Sequence, residues 1–401
     1  MNLVLFTHPA SLGLRSQEHF AQMLVDAFGE RGHRVTLRRA PDVLRQRVPR
    51  GPLSKWAGYV DQYLLFPRRM RAAMRGDPAE TLYVFCDQAL GPLIPHAAHR
   101  PHVVHCHDLL ALRSALGDIP ENPTSLTGRL YQRYIRAGFR RARHFISISE
   151  RSRLDLHRFG GVSPTISEVV YNGLNHPYEP LDPAEARRRL REAGLPVPDA
   201  GCLLHVGGGQ WYKNPEGVLG LYAAYVRERQ RTASTVLPLW MVSPPPTKTL
   251  AALAASLPDG GTVRFFQDVS TAALEAMYSS AEALLFPSLA EGFGWPIVEA
   301  MACGCPVVTT AEAPMTEIGG GAVTYLPRLM LGDDAQAWAQ QGARALIRLI
   351  DGSADEKASA AAAARRRARR FCSDTAIDLY LEIYERVLRV EGGALRGGAA
   401  R

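Results

Sequence analysis

Phe286-Pro287-Ser288-Leu289-Ala290-Glu291-Gly292-Phe293-Gly294-Trp295-Pro296-Ile297-Val298-Glu299-Ala300-Met301-Ala302-Cys303-Gly304-Cys305-Pro306-Val307-Val308 reads as a strand end, a glycine-containing loop, a short helix, a glycine stop and a second strand. Pro296 suits the first helical position, where a missing N–H is no loss and φ is already helical. Gly304 and Pro306 close the helix and open the next strand. Such a unit belongs to a parallel α/β sheet, and its loop, 291–295, falls at the carboxyl end of a strand, where open α/β sheets bind ligands. Free N–H groups around Phe293 and Gly294, with the positive end of the helix dipole, suit an anion. Glu291 and Glu299 flank that position. A carboxylate beside a diphosphate is repelled, so each is expected to accept hydrogen bonds from sugar or ribose hydroxyls. Taken singly, Glu299 reads as a first-turn helix carboxylate and Glu291 as a loop charge; the neighbouring glycines and proline favour the ligand reading.

Upstream, the strand Leu203-Leu204-His205-Val206 leads into Gly207-Gly208-Gly209-Gln210-Trp211-Tyr212-Lys213-Asn214-Pro215-Glu216. Asn214 is a good helix N-cap, Pro215 fits the first turn, and Glu216 favours the positive end of the dipole. The glycines let backbone approach a phosphate closely, and Lys213 arrives at the helix start as a point charge. The G-x-x-x-x-G-K-[ST] spacing of a P-loop is absent. In isolation the same residues also read as a flexible loop with a surface lysine.

The rest of the chain repeats this alternation. Strand candidates are 3–6, 35–37, 82–86, 103–106, 145–148 and 169–171 in the first half, and 203–206, 238–242, 263–266, 283–286 and 306–309 in the second, with amphipathic helices such as 17–28 between them. The pattern predicts parallel sheets. At 401 residues, 46% hydrophobic and 21% charged, the chain has material for two cores, which excludes a disordered or collagen-like chain. The Pro- and charge-rich stretch 175–200 marks the boundary, giving expected domains 1–175 and 176–372, with a final helix over 373–392 and a loose tail from Gly392. No apolar run is long enough to cross a bilayer. The start lacks a secretion-signal pattern, and the six scattered cysteines read as reduced thiols, so a cytosolic protein is expected.

Charge is uneven. Residues 1–180 carry +9 and the remainder −1, which suggests an anionic partner for the first half. Arg129, Arg133, Arg136, Arg140 and Arg143 fall on one helical stripe, and Arg68, Arg71 and Arg75 follow an aromatic run with Trp56, Tyr59, Tyr63 and Phe66. A solvated polar face and a docking face on anionic lipid are the two leading readings; without a nucleic-acid-binding signature, no nucleic acid is expected. Asp333-Asp334 reads as a turn, and Cys303-Gly304-Cys305 lacks zinc-ligand company. His105 and His107 share a strand face that His102 does not, so no metal is expected there.

In this order the two glycine motifs resemble the retaining, nucleotide-sugar-dependent glycosyltransferases of family 4 (GT4). The match to that family's E-G-F-G-x-P-x-x-E-A-M-A-x-G-x-P-V-V signature is nearly complete, and the segments His107-Asp108-Leu109, 147–153, Tyr171-Asn172-Gly173 and Lys213-Asn214 follow in the family's order. The resemblance implies an α/β GT-B fold: two Rossmann-like domains facing across a cleft, with the last helix returning to the N-terminal domain. It implies that Lys213 binds the donor diphosphate, Glu299 the ribose and Glu291 the donor sugar, that Phe293 and Gly294 offer backbone N–H groups, and that His107 lies against the sugar. It further implies transfer with retention, without a metal or other cofactor, from a nucleotide-sugar donor to a glycan or lipid-linked acceptor.

Two departures from the family pattern stand out. Gly208, Gly209 and Gln210 occupy the stretch where the family commonly has an arginine, with Trp211 or Tyr212 as candidates to compensate. The amino-terminal loop 11–16 has the single glycine Gly13 where paired glycines are usual, with Arg15 as a substitute cation. Two rivals are a sugar-nucleotide epimerase or hydrolase on the same fold, and a non-catalytic basic module that binds membrane or nucleic acid.

Overall fold

The computed structural model describes residues 1–49, 51–198 and 200–398. The chain folds as two compact units, one formed by Met1–Asn175 together with the chain from Ser373 onward, the other by His176–Cys372.

The first unit begins with β1 (Asn2–Thr7), α1 (Arg15–Glu30) and β2 (Arg34–Arg39). A continuous rod follows: α2 (Pro52–Val60), a π-helical turn over Asp61–Leu65, and α3 (Phe66–Met74). Then come β3 (Leu82–Phe85), β4 (His102–Cys106), α4 (Leu110–Leu116) and α5 (Leu126–Phe139). β5 (His144–Ser147), α6 (Glu150–Asp155) and β6 (Ile166–Val169) complete the run. The strands pair in parallel in the order β2-β1-β3-β4-β5-β6. The order reverses between β1 and β3. Buried on both faces, the central strands read as unbroken apolar runs such as Leu3–Phe6 and Leu82–Phe85.

The second unit holds α7 (Pro183–Glu192), β7 (Cys202–Val206), α8 (Pro215–Arg231) and β8 (Leu239–Val242). It continues with α9 (Lys248–Ala255), β9 (Val263–Phe266), α10 (Thr271–Ser280), β10 (Ala281–Phe286) and α11 (Trp295–Ala302). β11 (Val307–Thr310), α12 (Met315–Gly319), β12 (Thr324–Leu326), α13 (Ala335–Ile350) and α14 (Ala354–Ala368) follow. Its parallel sheet runs β12-β11-β10-β7-β8-β9, the Rossmann order, with the reversal between β7 and β10. One face is covered by α8 and α13, whose Val218, Tyr222, Trp338 and Leu346 bury against Leu203, Leu239 and Leu285.

The last helix, α15 (Ser373–Gly398), belongs to the first unit. Its Ala376, Ile377, Tyr380, Tyr384 and Val387 pack with Leu3, Phe20, Leu24 and Phe28 under the sheet, and Arg31 pairs with Asp374 and Asp378 at 3.0 Å.

Three sequence expectations shift. The sixth strand lies at 166–169 rather than 169–171, because its pairing with β5 starts opposite His144. The tail expected from Gly392 continues α15 to Gly398; once a helix is nucleated each added residue gains a hydrogen bond, so two glycines do not stop it. The stretch read as a connector contains α7, capped by the Asp182 carboxylate, which accepts from Ala184 and Glu185 N–H.

Candidate functional site

In the second unit the loops that leave β7 and β10 meet at the point where the strand order reverses. After β7 the backbone passes directly over an imidazole: a β-carbon on Gly207 would lie 2.8 Å from His205 Nε2. His205 donates from Nδ1 to Leu285 O (2.9 Å), and burial holds its pKa down at about 4, so it stays neutral. Gly209 takes φ +77°, a conformation that favours glycine. The chain then makes a single 3₁₀ turn, Trp211–Lys213. Asn214 caps α8 by accepting from Gly217 N–H (3.1 Å), while its amide donates to Pro287 O (3.1 Å). Leu289 N–H donates to Tyr212 O at 2.7 Å. The end of the first loop is therefore tied to the start of the second.

That tie sets the central contact. Lys213 Nζ donates to Glu291 Oε1 at 2.7 Å, and both side chains are largely buried. The ammonium also sits over the Phe286 ring, 4.7 Å from its centroid, and 5.4 Å from that of Tyr212. Lysine presents a compact charge with rotatable donors, so this ammonium can leave one anionic oxygen for another.

Beyond Glu291, Gly294 takes φ +106° and precedes α11 without capping it by a side chain. A β-carbon there would press on Ile297 Cδ1 at 3.3 Å. Trp295, not Pro296, is the first helical residue, which moves Glu299 out of the first turn. It points inward instead. Tyr278 OH donates to Glu299 Oε2 (2.8 Å). Burial raises the Glu299 carboxyl to about 7, against the opposing pull of the Tyr278 hydrogen bond and the Lys213 charge. Phe293 is buried, edge-on to Trp295 and Phe371, so its side chain fixes the loop while its backbone lies beside Gly294.

Gly208 is exposed beside the Gln210 amide. Arg328 brings a guanidinium to the β10 loop, donating to Leu289 O at 2.8 Å. Sequence reasoning missed Tyr278, His205 and Arg328, whose contacts to this site come from 21 to 80 residues away.

In the first unit the corresponding reversal, between β1 and β3, places His8 beside Asp87: His8 Nε2 donates to Asp87 Oδ2 at 3.0 Å, and both are buried. Asp87 Oδ1 also accepts from Ala89 N–H. Burial raises the Asp87 carboxyl, but His8 and the nearby His107 outweigh it and the net shift is downward. His107, at the end of β4, donates from Nε2 to Cys86 O (2.8 Å) and packs edge-on to Phe20. Burial lowers its pKa, Asp87 opposing. The donation from Nε2 leaves Nδ1 as the acceptor nitrogen of a neutral ring. His8 and Asp87 carry no local sequence signal. His102 and His105 do not join this group: the first bonds Arg100 O, the second the Tyr384 hydroxyl. Gly13 takes φ +62° with nothing near a β-carbon. Arg15 opens α1; its side chain lies outside the described residues.

The structure thus joins Lys213, Glu291, Glu299, Phe293 and Gly294 around one switch point of the second unit, with Gly208 on its rim. His107, Gly13 and Arg15 belong to the first unit.

Comparison with known proteins bears on both units. The model for Glycosyltransferase Family 4 matches residues 17–176, and that for Glycosyl transferases group 1 matches residues 187–326. D-inositol 3-phosphate glycosyltransferase of Mycobacterium avium is 30% identical over 305 residues, 75% of this chain and 67% of that protein. Across the curated relatives the matched stretch spans 44% to 69% of their own length. Sucrose-phosphate synthase of Thermosynechococcus elongatus superimposes with a TM-score of 0.69 at 19% identity, covering 97% of this chain and 100% of that one. HepE of Anabaena, solved in complex with UDP and glucose, gives 0.68 at 17% identity over 96% of this chain and 99% of that one. With family models matching in both units and two parallel sheets built in the same way as those structures, the chain belongs to the family 4, group 1 glycosyltransferases and has the GT-B fold.

Proposed function

We propose that this protein is a retaining glycosyltransferase that moves a hexose from a nucleoside diphosphate sugar to a glycan or lipid-linked acceptor. The observation that carries the reading is the Lys213–Glu291 pair, held at the sheet reversal beside two glycine loops and the start of α11. On donor binding the Lys213 ammonium passes from Glu291 to the diphosphate. Glu291 is then free to accept hydrogen bonds from the donor sugar, and Glu299 accepts them from the ribose. Backbone N–H groups at Phe293 and Gly294 face the phosphates.

Charge grows on the departing diphosphate as the anomeric C–O bond breaks, and Lys213 with the helix start stabilises it. The acceptor hydroxyl oxygen bonds to the anomeric carbon on the same face, and its proton passes to the departing phosphate oxygen. Protein cations serve the leaving group in place of a metal. His107 contributes to transfer rather than to nucleotide affinity. The relatives suggest first probes: UDP-sugars as donors, after the UDP complex of HepE, and a phosphorylated polyol such as inositol phosphate as acceptor, after the D-inositol 3-phosphate glycosyltransferase.

Thermal stabilisation by UDP-, GDP- and ADP-sugars identifies the donor, and product analysis with and without acceptor identifies the reaction. A glycosylated acceptor with the anomeric configuration of the donor is expected. Epimerised donor, or hydrolysis that acceptors leave unchanged, overturns the proposal, as does an inverted product.

A further inference from the structure

The exposed side of the first unit carries an apolar face that its own core does not use. On α2 and its π-helical continuation, Leu53, Trp56, Val60 and Leu64 recur at steps of three and four residues, and Leu53 and Trp56 are 72% and 65% exposed. On α5, Leu126, Leu130 and Tyr134 recur at steps of four, Leu126 and Leu130 being 77% and 61% exposed. The two helices lie side by side: Tyr63 and Tyr131 share a hydroxyl–hydroxyl hydrogen bond of 2.6 Å, and the Tyr59–Tyr131 and Tyr63–Tyr134 rings are 5.5 Å apart. The two stripes therefore form one surface.

Its charge has a single sign. Between Pro52 and Arg75 and between Leu126 and Arg143 the only carboxylate is Asp61, which is buried and accepts from Leu44 and Arg45 N–H. Arg129 and Arg133 alternate with Leu126, Leu130 and Tyr134 on the outer side of α5, and Arg68 and Arg71 are exposed along α3. The five-arginine stripe read from sequence is not uniform: Arg136 and Arg140 donate to Gly160 and Gly161 carbonyls, and Arg143 pairs with Glu391. Arg129 and Arg68 also donate to nearby carbonyls, of Thr124 and Leu64, yet stay exposed; the outward cations are thus Arg129 and Arg133, interleaved with Leu126 and Leu130 on α5, and Arg68 and Arg71 on α3. No helix among the described residues is long and apolar enough to cross a membrane, so a contact here lies in the surface plane.

We infer that α2 and α5 form a docking face for an anionic lipid bilayer, with Leu53, Trp56, Leu126 and Leu130 entering the acyl boundary and Arg129, Arg133, Arg68 and Arg71 meeting the headgroups. The opposite side of α2 walls a cavity of about 540 Å³ that includes Lys55, Tyr59, Gln62 and Tyr131. For the lipid-linked form of the proposed acceptor, docking holds that recess one helix diameter, about 10 Å, from the membrane surface; the docking itself does not depend on the reaction assigned above.

The test is sedimentation of the full chain with vesicles of phosphatidylglycerol and phosphatidylcholine, against pure phosphatidylcholine. Wild type is expected to partition to the anionic vesicles and to be released by salt. Arg129→Gln and Arg133→Gln should each lower the partition about fivefold. The double variant Leu53→Ser, Trp56→Ser should lower it at least tenfold with an unchanged melting temperature, because both side chains are already in water. Nucleotide affinity measured by calorimetry on the same variants should not move. Failure of that affinity in wild type would count against the proposed reaction alone. Equal partition of wild type and the double variant, equal binding to neutral vesicles, or a dimer in solution that the double variant splits, overturns the lipid assignment.

Discussion

Both units set a basic side chain against a carboxylate where the strand order reverses, and the two pairs are built differently. In the second unit the pair is Lys213–Glu291 at 2.7 Å, carried on loops that cross His205 at a glycine and include left-handed backbone at Gly209 and Gly294. In the first it is His8–Asp87 at 3.0 Å, and the same carboxylate also caps the turn that follows β3. An ammonium on a four-carbon stem can change partners; an imidazole locked to a carboxylate that holds backbone cannot do so without disturbing the turn. The same topology thus yields an exchangeable charge in one unit and a fixed polar floor beside His107 in the other.

The comparison is most directly broken by removing one member of each pair. Lys213→Ala is expected to reduce turnover by about 10²–10³-fold, the usual cost of removing one preorganised stabilising donor. A loss below tenfold in folded protein would take Lys213 out of that role. Asp87→Ala should act on stability instead, lowering it by about 2–3 kcal/mol in urea unfolding because His8 and the Ala89 N–H lose a buried partner. If both variants lose activity alike while keeping their urea midpoints, the two pairs are not distinct.

The Glu299 carboxyl sharpens the second site. With its pKa at about 7, the proposed contact with both ribose hydroxyls calls for the ionised form, so nucleotide affinity should fall about tenfold between pH 8 and pH 6. Glu299→Gln should flatten that profile. Since burial raises this carboxyl in the folded state, its contribution to stability declines as pH rises from about 4.5 to about 7, and the glutamine variant should lose that decline as well. A profile in calorimetry identical to wild type would remove Glu299 from nucleotide binding.

The smallest expected effects come from two of the positive-φ glycines, one in each unit. Gly294→Ala should cost about 1–2 kcal/mol and weaken nucleotide binding, since strain is joined by the contact with Ile297. Gly13→Ala, with open space around it, should cost about 1 kcal/mol and leave nucleotide affinity unchanged.

The loops of the second site were legible because their chemistry is local. Glycine, lysine, asparagine and proline at fixed offsets describe a strand end, a phosphate-sized approach and a capped helix start within ten residues. The long-range partners were not. Tyr278 sits in an ordinary apolar helix, and only the parallel crossover puts its hydroxyl on Glu299. His8 and Asp87 are 79 residues apart, and β12 is three residues long, too short to show a period. The π-helical turn at Asp61–Leu65 left no sign because one wide turn preserves the apolar spacing on either side. Lys213 lies just before α8, where the motif puts it, but its partner Glu291 was not foreseen, since pairing across two loops requires the strand order and not the motif.

α15 has a consequence for how the molecule comes into being. Leu3, Phe20 and Phe28 cover themselves with Tyr380, Tyr384 and Val387, whereas the core around α8 and α13 draws only on residues between Leu203 and Ile350. During synthesis the later-encoded unit has all its parts before the earlier one does. The amino-terminal sheet waits on the ribosome with one flank bare until α15 has been made, so a chain stopped short of Ser373 would carry that greasy flank into solution as a target for chaperones and proteases.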